Sequence, residues 1–445
     1  MRTSRFSTLV ETLAADIRNG QIAPGSLMPT HRQLAATHHV ALATASRAYA
    51  ELNEMGLIIG EVGRGTFVRE RRVQSEPDAG DEARLSRHAA DLSFNHPVDD
   101  GQAELLRTAL RALASSGDLA ALMHQQPPGG RLHERDIVCR FLAGRGIDAS
   151  GDRVFIVNGA QQGLDIAVRA SLNPHDRAAV DALTYPGFKM VAEAHRITLE
   201  AVGCDSHGPD FDALERVCSS RKIRAIYVMP TMHNPLGWVL SARQRSRLVK
   251  IARRHDCLLI EDAAYAFLAR EAPPPLVALA PERTLYVSSL SKSVATGLRF
   301  GFMVVPEMCA ARVKAQIRAS VWSQPSLATA LATRWIEDGT VDRLEQERRQ
   351  DARDRQALAQ DVLRGMELTA NPESLFVWLK LPPELRMDRI YADLARRNVA
   401  VSQASAYATT RHVPHALRLG LSSLSISNLK TALQEVRDVI ETFPI

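Results

Sequence analysis

From Asp91 onward, short apolar runs alternate with stretches of helical periodicity, and this alternation restricts the fold more than any other feature. VFIVNG (Val154–Gly159) is an unbroken apolar run ended by a glycine turn, and the helical stretch Gln161–Leu172 follows it. Similar runs recur at Ala225–Met229, Leu258–Glu261, Leu285–Ser288 and Phe300–Val305. A strand wetted on one face alternates apolar and polar residues, whereas a strand covered on both faces reads as a continuous apolar run. Runs of the second kind between helices predict βαβ units and a largely parallel sheet. Ser241 and Gln244 form a capping box at the start of one covering helix. Past about Ser326 the pattern changes. A long charged helix (Trp335–Leu363) leads into strand (Phe376–Leu381), helix (Asp388–Arg397), strand (Leu417–Leu421) and helix (Asn428–Thr442), which predicts a smaller α+β domain.

With 445 residues, the chain is too long for one ordinary domain. Residues 1–70 read as a separate compact unit. Leu9, Leu13 and Ile17 recur every four residues and give one buried helix face. Thr30 and Gln33 form a second capping box that starts a short helix. A turn around His38–Val40 leads into a third helix, with Ala45, Ala48, Leu52 and Met55 on one face and Gly56 at its C-cap. Leu57–Ile59 and Thr66–Val68 are the arms of a hairpin around Gly63-Arg64-Gly65. Helix, helix, turn, helix, hairpin is the order of a winged helix-turn-helix, in which the third helix enters the major groove of DNA and the wing tip reaches the next groove. Residues 1–72 hold nine arginines, no lysine and six carboxylates, a balance of +3 that suits phosphate contacts. Residues 71–90, RRVQSEPDAGDEARLSRHAA, are charged and poor in large apolar side chains, as a solvated linker is.

The string LMPTHRQLA…TASRAYAELNEMGLI…GRGTFV resembles the GntR-family DNA-binding domain. The resemblance implies that Arg32 holds phosphate, that Thr44, Ser46 and Arg47 lie on the recognition helix, and that Arg64 and Gly65 make the wing contact. Ala41-Leu42 stand where the family often has Ser/Thr-Arg, and Ser46 where it often has a basic residue, so sequence preference is expected to differ.

Several motifs in the body have the chemistry to hold an aldehyde cofactor that bears a phosphate. SSLSKSVATGLRFGF places Lys292, a Schiff-base lysine, seven residues before Arg299. Ser289 and Arg299 can bind the phosphate, the arginine as a charged fork. Backbone N–H groups of Gly159, Ala160 and Gln161, at a strand-to-helix turn, can bind it too. Asp262 ends a buried strand and can keep a pyridine nitrogen protonated, so that the ring acts as an electron sink. Tyr265 and Asn234 can reach a ring hydroxyl, and Tyr185 can stack on the ring. Arg418 can grip a substrate carboxylate with two hydrogen bonds. Singly, each has a structural alternative: a strand end, a core tyrosine, an internal ion pair.

As a set, NGAQQ…TYPG…HNPLG…EDAAY…SLSKxxxxGLRFG resembles the fold-type I aminotransferases of class I/II over residues 91–445. The resemblance implies pyridoxal 5'-phosphate (PLP) as cofactor, a large domain over about 91–325 and a small one over about 326–445. A GntR-like head on such a body is the architecture of the MocR regulators. That family implies a head-to-tail homodimer, double-stranded operator DNA as partner and an amino compound, or PLP itself, as the signal. A working aminotransferase with a DNA-binding head is the alternative, and a scaffold without PLP a third. Three segments depart from the aminotransferase pattern: His124-Gln125 where a tyrosine is usual, Leu236 in the HNPLG segment, and Ala182-Leu183 before TYPG. These leave substrate and turnover open.

Composition excludes some classes. No apolar run nears the ~18 residues that span a membrane, and the N-terminus lacks the apolar core of a signal peptide. The five cysteines are scattered without a CxxC pair, so neither a metal site nor a disulfide framework is expected. A cytoplasmic protein with reduced thiols is the expectation.

Overall fold

In the computed structural model, residues 5–18, 22, 26–55, 57–61, 65–68, 90–97, 101–116 and 119–442 are described. The chain forms two units, Met1–Arg87 and His88–Ile445.

The first unit contains helices Arg5–Arg18, His31–Thr37 and Leu42–Glu54 and an antiparallel strand pair, Ile58–Glu61 with Gly65–Val68. Both sequence signals for the short helix are realised: Gln33 N donates to Thr30 Oγ1 at 3.3 Å, and Thr30 N to Gln33 Oε1 at 2.8 Å. Leu9, Leu13 and Ile17 pack with Leu34, Ala45, Ala48, Leu52, Ile58 and Val68 into one core. Met55, expected on that face, is 46% exposed, because the helix ends at Glu54 and Met55 is its C-cap. Gly56, Gly63, Arg64 and linker residues 71–89 lie outside the described residues.

The second unit is built on a seven-stranded sheet. Its strands lie in the order Val154–Val157, Gly301–Val304, Thr284–Ser289, Leu258–Asp262, Ile223–Val228, Arg177–Asp181, Thr198–Val202. The last five are mutually parallel, and Gly301–Val304 runs antiparallel to both neighbours. Side chains of the central strands are buried on both faces: Leu259 belongs to one apolar layer and Ile260 to the opposite one. This is why the runs read as continuously apolar. The Ser241 capping box forms, with Gln244 N donating to Ser241 Oγ at 3.3 Å.

The C-terminal part carries a four-stranded antiparallel sheet, ordered Leu368–Ala370, Phe376–Lys380, Ala416–Gly420, Ser402–Gln403, with helices Met387–Arg396 and Ile426–Glu441. The single long helix expected over Trp335–Leu363 is two helices, Ser326–Glu337 and Thr340–Val362. Gly339 separates them at φ +79°, a conformation that breaks α-helical continuity. Within the proposed linker only Ala90 is described. It opens a two-residue strand, Ala90–Asp91, parallel to Val399–Ala400, so the chain enters this unit through its C-terminal part.

Candidate functional site

The parallel strands Ile223–Val228, Leu258–Asp262 and Thr284–Ser289 deliver their C-terminal ends to one region, the usual place for ligands in open α/β sheets. Just past Thr284–Ser289, half-buried Lys292 donates from Nζ to the backbone oxygen of Asn95 at 2.8 Å. The hydroxyls of its neighbours Ser291 and Ser293 are buried without a protein partner. Asn95 is itself buried. Its Nδ2 donates to the Tyr265 hydroxyl at 3.2 Å, and its Oδ1 accepts from Ser422 Oγ at 3.2 Å. Two residues earlier, the Ser93 carbonyl accepts from Arg418 Nη1 at 3.1 Å. The segment Ser93–Asn95 therefore joins Lys292, Tyr265 and Arg418.

Asp262, 1% exposed, ends its strand with Oδ2 accepting from the Tyr227 hydroxyl at 2.8 Å and Oδ1 from Ala264 N at 3.0 Å. Burial pushes its pKa up, and the Ala264 N–H and Tyr227 hydroxyl pull it back toward the charged form. At Tyr265 burial also acts upward, but the positive charges of Lys292 and Arg418, with the Asn95 hydrogen bond, outweigh it and lower the phenol's pKa. Burial and then Lys292 lower the pKa of His96. Asn234, which precedes a cis proline, leaves its buried Oδ1 without a protein partner.

Tyr185 is the N-cap of helix Pro186–Ala194 and donates to Gln161 Oε1 at 3.1 Å. Gln161 Nε2 in turn donates to the Gly187 carbonyl at 2.9 Å, so its amide holds the tyrosine, while its backbone lies in the first turn of helix Gly159–Ser171 together with Ala160. A Cβ on Gly187 would meet the Tyr185 ring at 2.4 Å. Gly159 stands at φ +79° and Arg299 at φ +50°. The Arg299 guanidinium donates to Asn158 O at 3.1 Å, directly over Gly159. Ser289 is buried at the end of its strand. The backbone turn at Gly159 and one exposed guanidinium thus meet at a helix N-terminus, an arrangement fit for a phosphate.

Arg418 is 2% exposed, with its guanidinium 4.8 Å from the Phe376 ring centroid and its Nε without a partner. A buried donor left unpaired costs free energy, and an acceptor on a ligand would relieve it. The departures fall elsewhere. His124 and Gln125 are exposed, and Leu183 and Leu236 are buried in the sheet's apolar layer. His233, neighbour of Asn234, stacks on Trp238 at 3.5 Å and lies 3.4 Å from Asp181 Oδ2; burial lowers its pKa. Taken together, the residues present fit PLP: an amine, a buried carboxylate, a phenol, an amide with an unpaired oxygen, a second tyrosine ring, and a helix N-terminus with a guanidinium over it. Among the described residues, no group of three or more metal-ligating side chains occurs.

In the first unit, Thr44, Ser46 and Arg47 lie on helix Leu42–Glu54, as read from sequence. Ser46 Oγ is 3.4 Å from His31 Nδ1, and Arg47 is exposed with its guanidinium 4.5 Å from the Phe6 ring centroid. Arg32 is exposed on the preceding helix. Gly65 takes φ +113°, and a Cβ there would meet Leu27 at 2.8 Å. Arg64 is outside the described residues.

Sequence reasoning missed Asn95, Ser93 and Tyr227. LSFNHP and IYVMP carry no spacing that singles them out, and only the hydrogen bonds of the folded chain do.

Comparison with known proteins agrees with this architecture. The family described as aminotransferase class I and II matches residues 87–436, and that of bacterial regulatory proteins, gntR family, matches residues 6–68. The chain is 26% identical over 439 residues to the uncharacterized HTH-type transcriptional regulator YdeF of Bacillus subtilis, covering 98% of this chain and 94% of that one. It is 27% identical over 332 residues to 2-aminoadipate transaminase of Thermus thermophilus, covering 72% and 82% respectively. Among solved structures, an archaeal alanine:glyoxylate aminotransferase superposes with TM-score 0.76 at 23% identity over 82% of this chain and 95% of the other. The LysN α-aminoadipate aminotransferase of Thermus thermophilus superposes with TM-score 0.73 at 22% identity, over 80% and 93%.

Proposed function

This chain belongs to the class I and II aminotransferase family and carries a gntR-family DNA-binding head, and from that premise we propose that it is a transcription regulator whose body binds PLP at Lys292 and responds to an amino compound. The observation that carries the reading is the Ser93–Asn95 segment, which hydrogen-bonds Lys292, Tyr265 and Arg418 at once and so ties the amine, the phenol and the anion-binding arginine into one site. Relatives that match nearly the whole chain, such as the one from Bacillus subtilis, are named as transcriptional regulators, which supports the same reading.

When bound, the cofactor supplies an aldehyde that takes up an amine and a ring that withdraws electrons. Lys292 provides the resident amine. Asp262 holds a proton at the ring nitrogen, while Tyr265 and Asn234 hold the ring oxygen. Tyr185 would stack on the ring. Ser289, Arg299 and the backbone of Gly159, Ala160 and Gln161 bind the phosphate. Arg418, through its free Nε, takes the carboxylate of an incoming amino acid. Arg32, Thr44, Ser46, Arg47, Arg64 and Gly65 contact operator DNA, and two heads of a homodimer read two half-sites. A ligand can alter DNA binding only through different affinities for two arrangements of the protein, and carboxylate capture by Arg418, on the C-terminal sheet, provides such a difference.

The test is a spectral screen of amino acids against PLP-loaded protein, followed by operator binding and a keto-acid turnover assay on each hit. The reading expects a ligand that changes both the visible spectrum and operator affinity, with negligible turnover. Sustained turnover at ~1 s⁻¹ or more, in the ordinary enzyme range, without an effect on DNA would establish a working aminotransferase instead.

A further inference from the structure

We propose that Tyr227 is a positioning residue that locks the Asp262 carboxylate in place and keeps it an acceptor for the protonated ring nitrogen of the cofactor. The inference rests on the PLP reading above but concerns a residue that none of the cofactor motifs includes.

Tyr227 lies on the strand beside that of Asp262, opposite Ile260 in the register. Its hydroxyl donates to Asp262 Oδ2 at 2.8 Å, while Ala264 N donates to Oδ1 at 3.0 Å. With one donor on each oxygen, the carboxylate plane is fixed. The phenol cannot swing away: Tyr227 is 1% exposed, and its ring stacks on Phe188 at 3.7 Å and 7°. Phe188 belongs to the helix capped by Tyr185, so the ring-stacking tyrosine and the carboxylate's partner share one support. Burial and the nearby Asp262 charge raise the Tyr227 pKa well above its ordinary value, so the hydroxyl stays protonated and always donates.

The chemical effect follows from the shared proton. A carboxylate and a pyridine nitrogen held together in a dry site compete for one proton. A hydrogen bond donated to the carboxylate lowers its proton affinity and leaves the proton on nitrogen. Removing the Tyr227 hydroxyl leaves a fully buried carboxylate with a single donor. The proton then moves toward Asp262, and the ring becomes a poorer electron sink.

The experiment uses full-length protein and three variants: Tyr227→Phe, Asp262→Asn and the pair combined. Tyr227→Phe retains the stacked ring. Two quantities are read: the PLP dissociation constant, and the pH midpoint of the visible band of bound cofactor. The Tyr227–Asp262 bond is present without the cofactor as well, so only the weakened contact between Asp262 and the ring enters the dissociation constant, which should rise by a few-fold, about 1 kcal/mol or less. The lysine–cofactor linkage, attached to a less electron-withdrawing ring, should hold its proton to higher pH and move the midpoint up by about one unit. If Tyr227 acts through Asp262, adding Tyr227→Phe to Asp262→Asn changes neither quantity further. Wild-type constant and midpoint in Tyr227→Phe, or full additivity in the double variant, would overturn the inference. Failure of the wild-type protein to form a visible band with PLP would instead overturn the cofactor reading itself. Should Tyr227→Phe not fold, Tyr227→Met, which likewise lacks a donor, must show the raised dissociation constant and midpoint, and wild-type values in it refute the assignment.

Discussion

Replacing Gly159 by alanine separates backbone strain from cofactor binding, because the fold supplies a matched control. Gly159 stands at φ +79° and Gly146 at φ +74°. An alanine at either position adopts a left-handed conformation that costs about 1–2 kcal/mol. At Gly146 nothing lies within 4 Å of the new Cβ, so strain is the whole effect. At Gly159 the Cβ would sit 3.1 Å from Arg299 Nη2 and 3.2 Å from its Cζ. The guanidinium must give by a few tenths of an ångström, which shifts it from its place over Asn158 O, and the methyl occupies the mouth of the helix Gly159–Ser171 N-terminus. Losing one charge-assisted contact to a phosphate is worth roughly 1.5–3 kcal/mol, about 10- to 150-fold in affinity. Both variants should therefore lose stability in denaturant unfolding, Gly159→Ala at least as much as Gly146→Ala. Only Gly159→Ala should lose PLP affinity, measured by titrating PLP against the visible band. Equal and unchanged PLP affinity in the two variants would refute the phosphate cradle, and with it the roles given to Arg299 and Gly159.

Lys292→Ala should abolish any borohydride-fixed PLP adduct, seen by mass spectrometry, while retaining operator binding by the head. Arg47→Glu should weaken operator binding and lower the salt slope by about one, since Arg47 is exposed on helix Leu42–Glu54, and an unchanged slope in a salt titration would remove it from the phosphate contacts. A fragment of residues 1–70 should bind a two-site operator about 10²–10⁴-fold more weakly than the full chain, and equal affinity would rule out a dimer requirement. Burial raises the Glu261 pKa from 4.5 to about 7. The folded state then binds more protons than the unfolded between those values. Stability contributed by this group is present below pH 4.5 and is lost as pH rises toward 7, with a slope approaching about 1.4 kcal/mol per unit. Glu261→Gln should flatten that slope in urea unfolding measured across the window.

Local patterns carried much of this protein. Capping boxes at Thr30 and Ser241, the four-residue recurrence of Leu9, Leu13 and Ile17, and the continuously apolar strands act over a few residues, and each appears in the folded chain as read. Most of the cofactor motifs were legible for a related reason: those around Gly159, Tyr185, Asp262 and Ser289 lie at a strand end or helix start, where a short string specifies both backbone and side chain. Some features depended on tertiary structure alone. Gly301–Val304 runs antiparallel inside an otherwise parallel sheet, since a fully buried apolar run has no signature of direction. Gly339 divides a helix whose charge pattern reads straight through it. Asn95 meets Tyr265 across 170 residues and Ser422 across 327, and Tyr227 meets Asp262 across 35. Hydrogen bonds at such separations leave no periodicity in the chain. They exist because folding excludes water from those donors and acceptors and leaves only one another as partners.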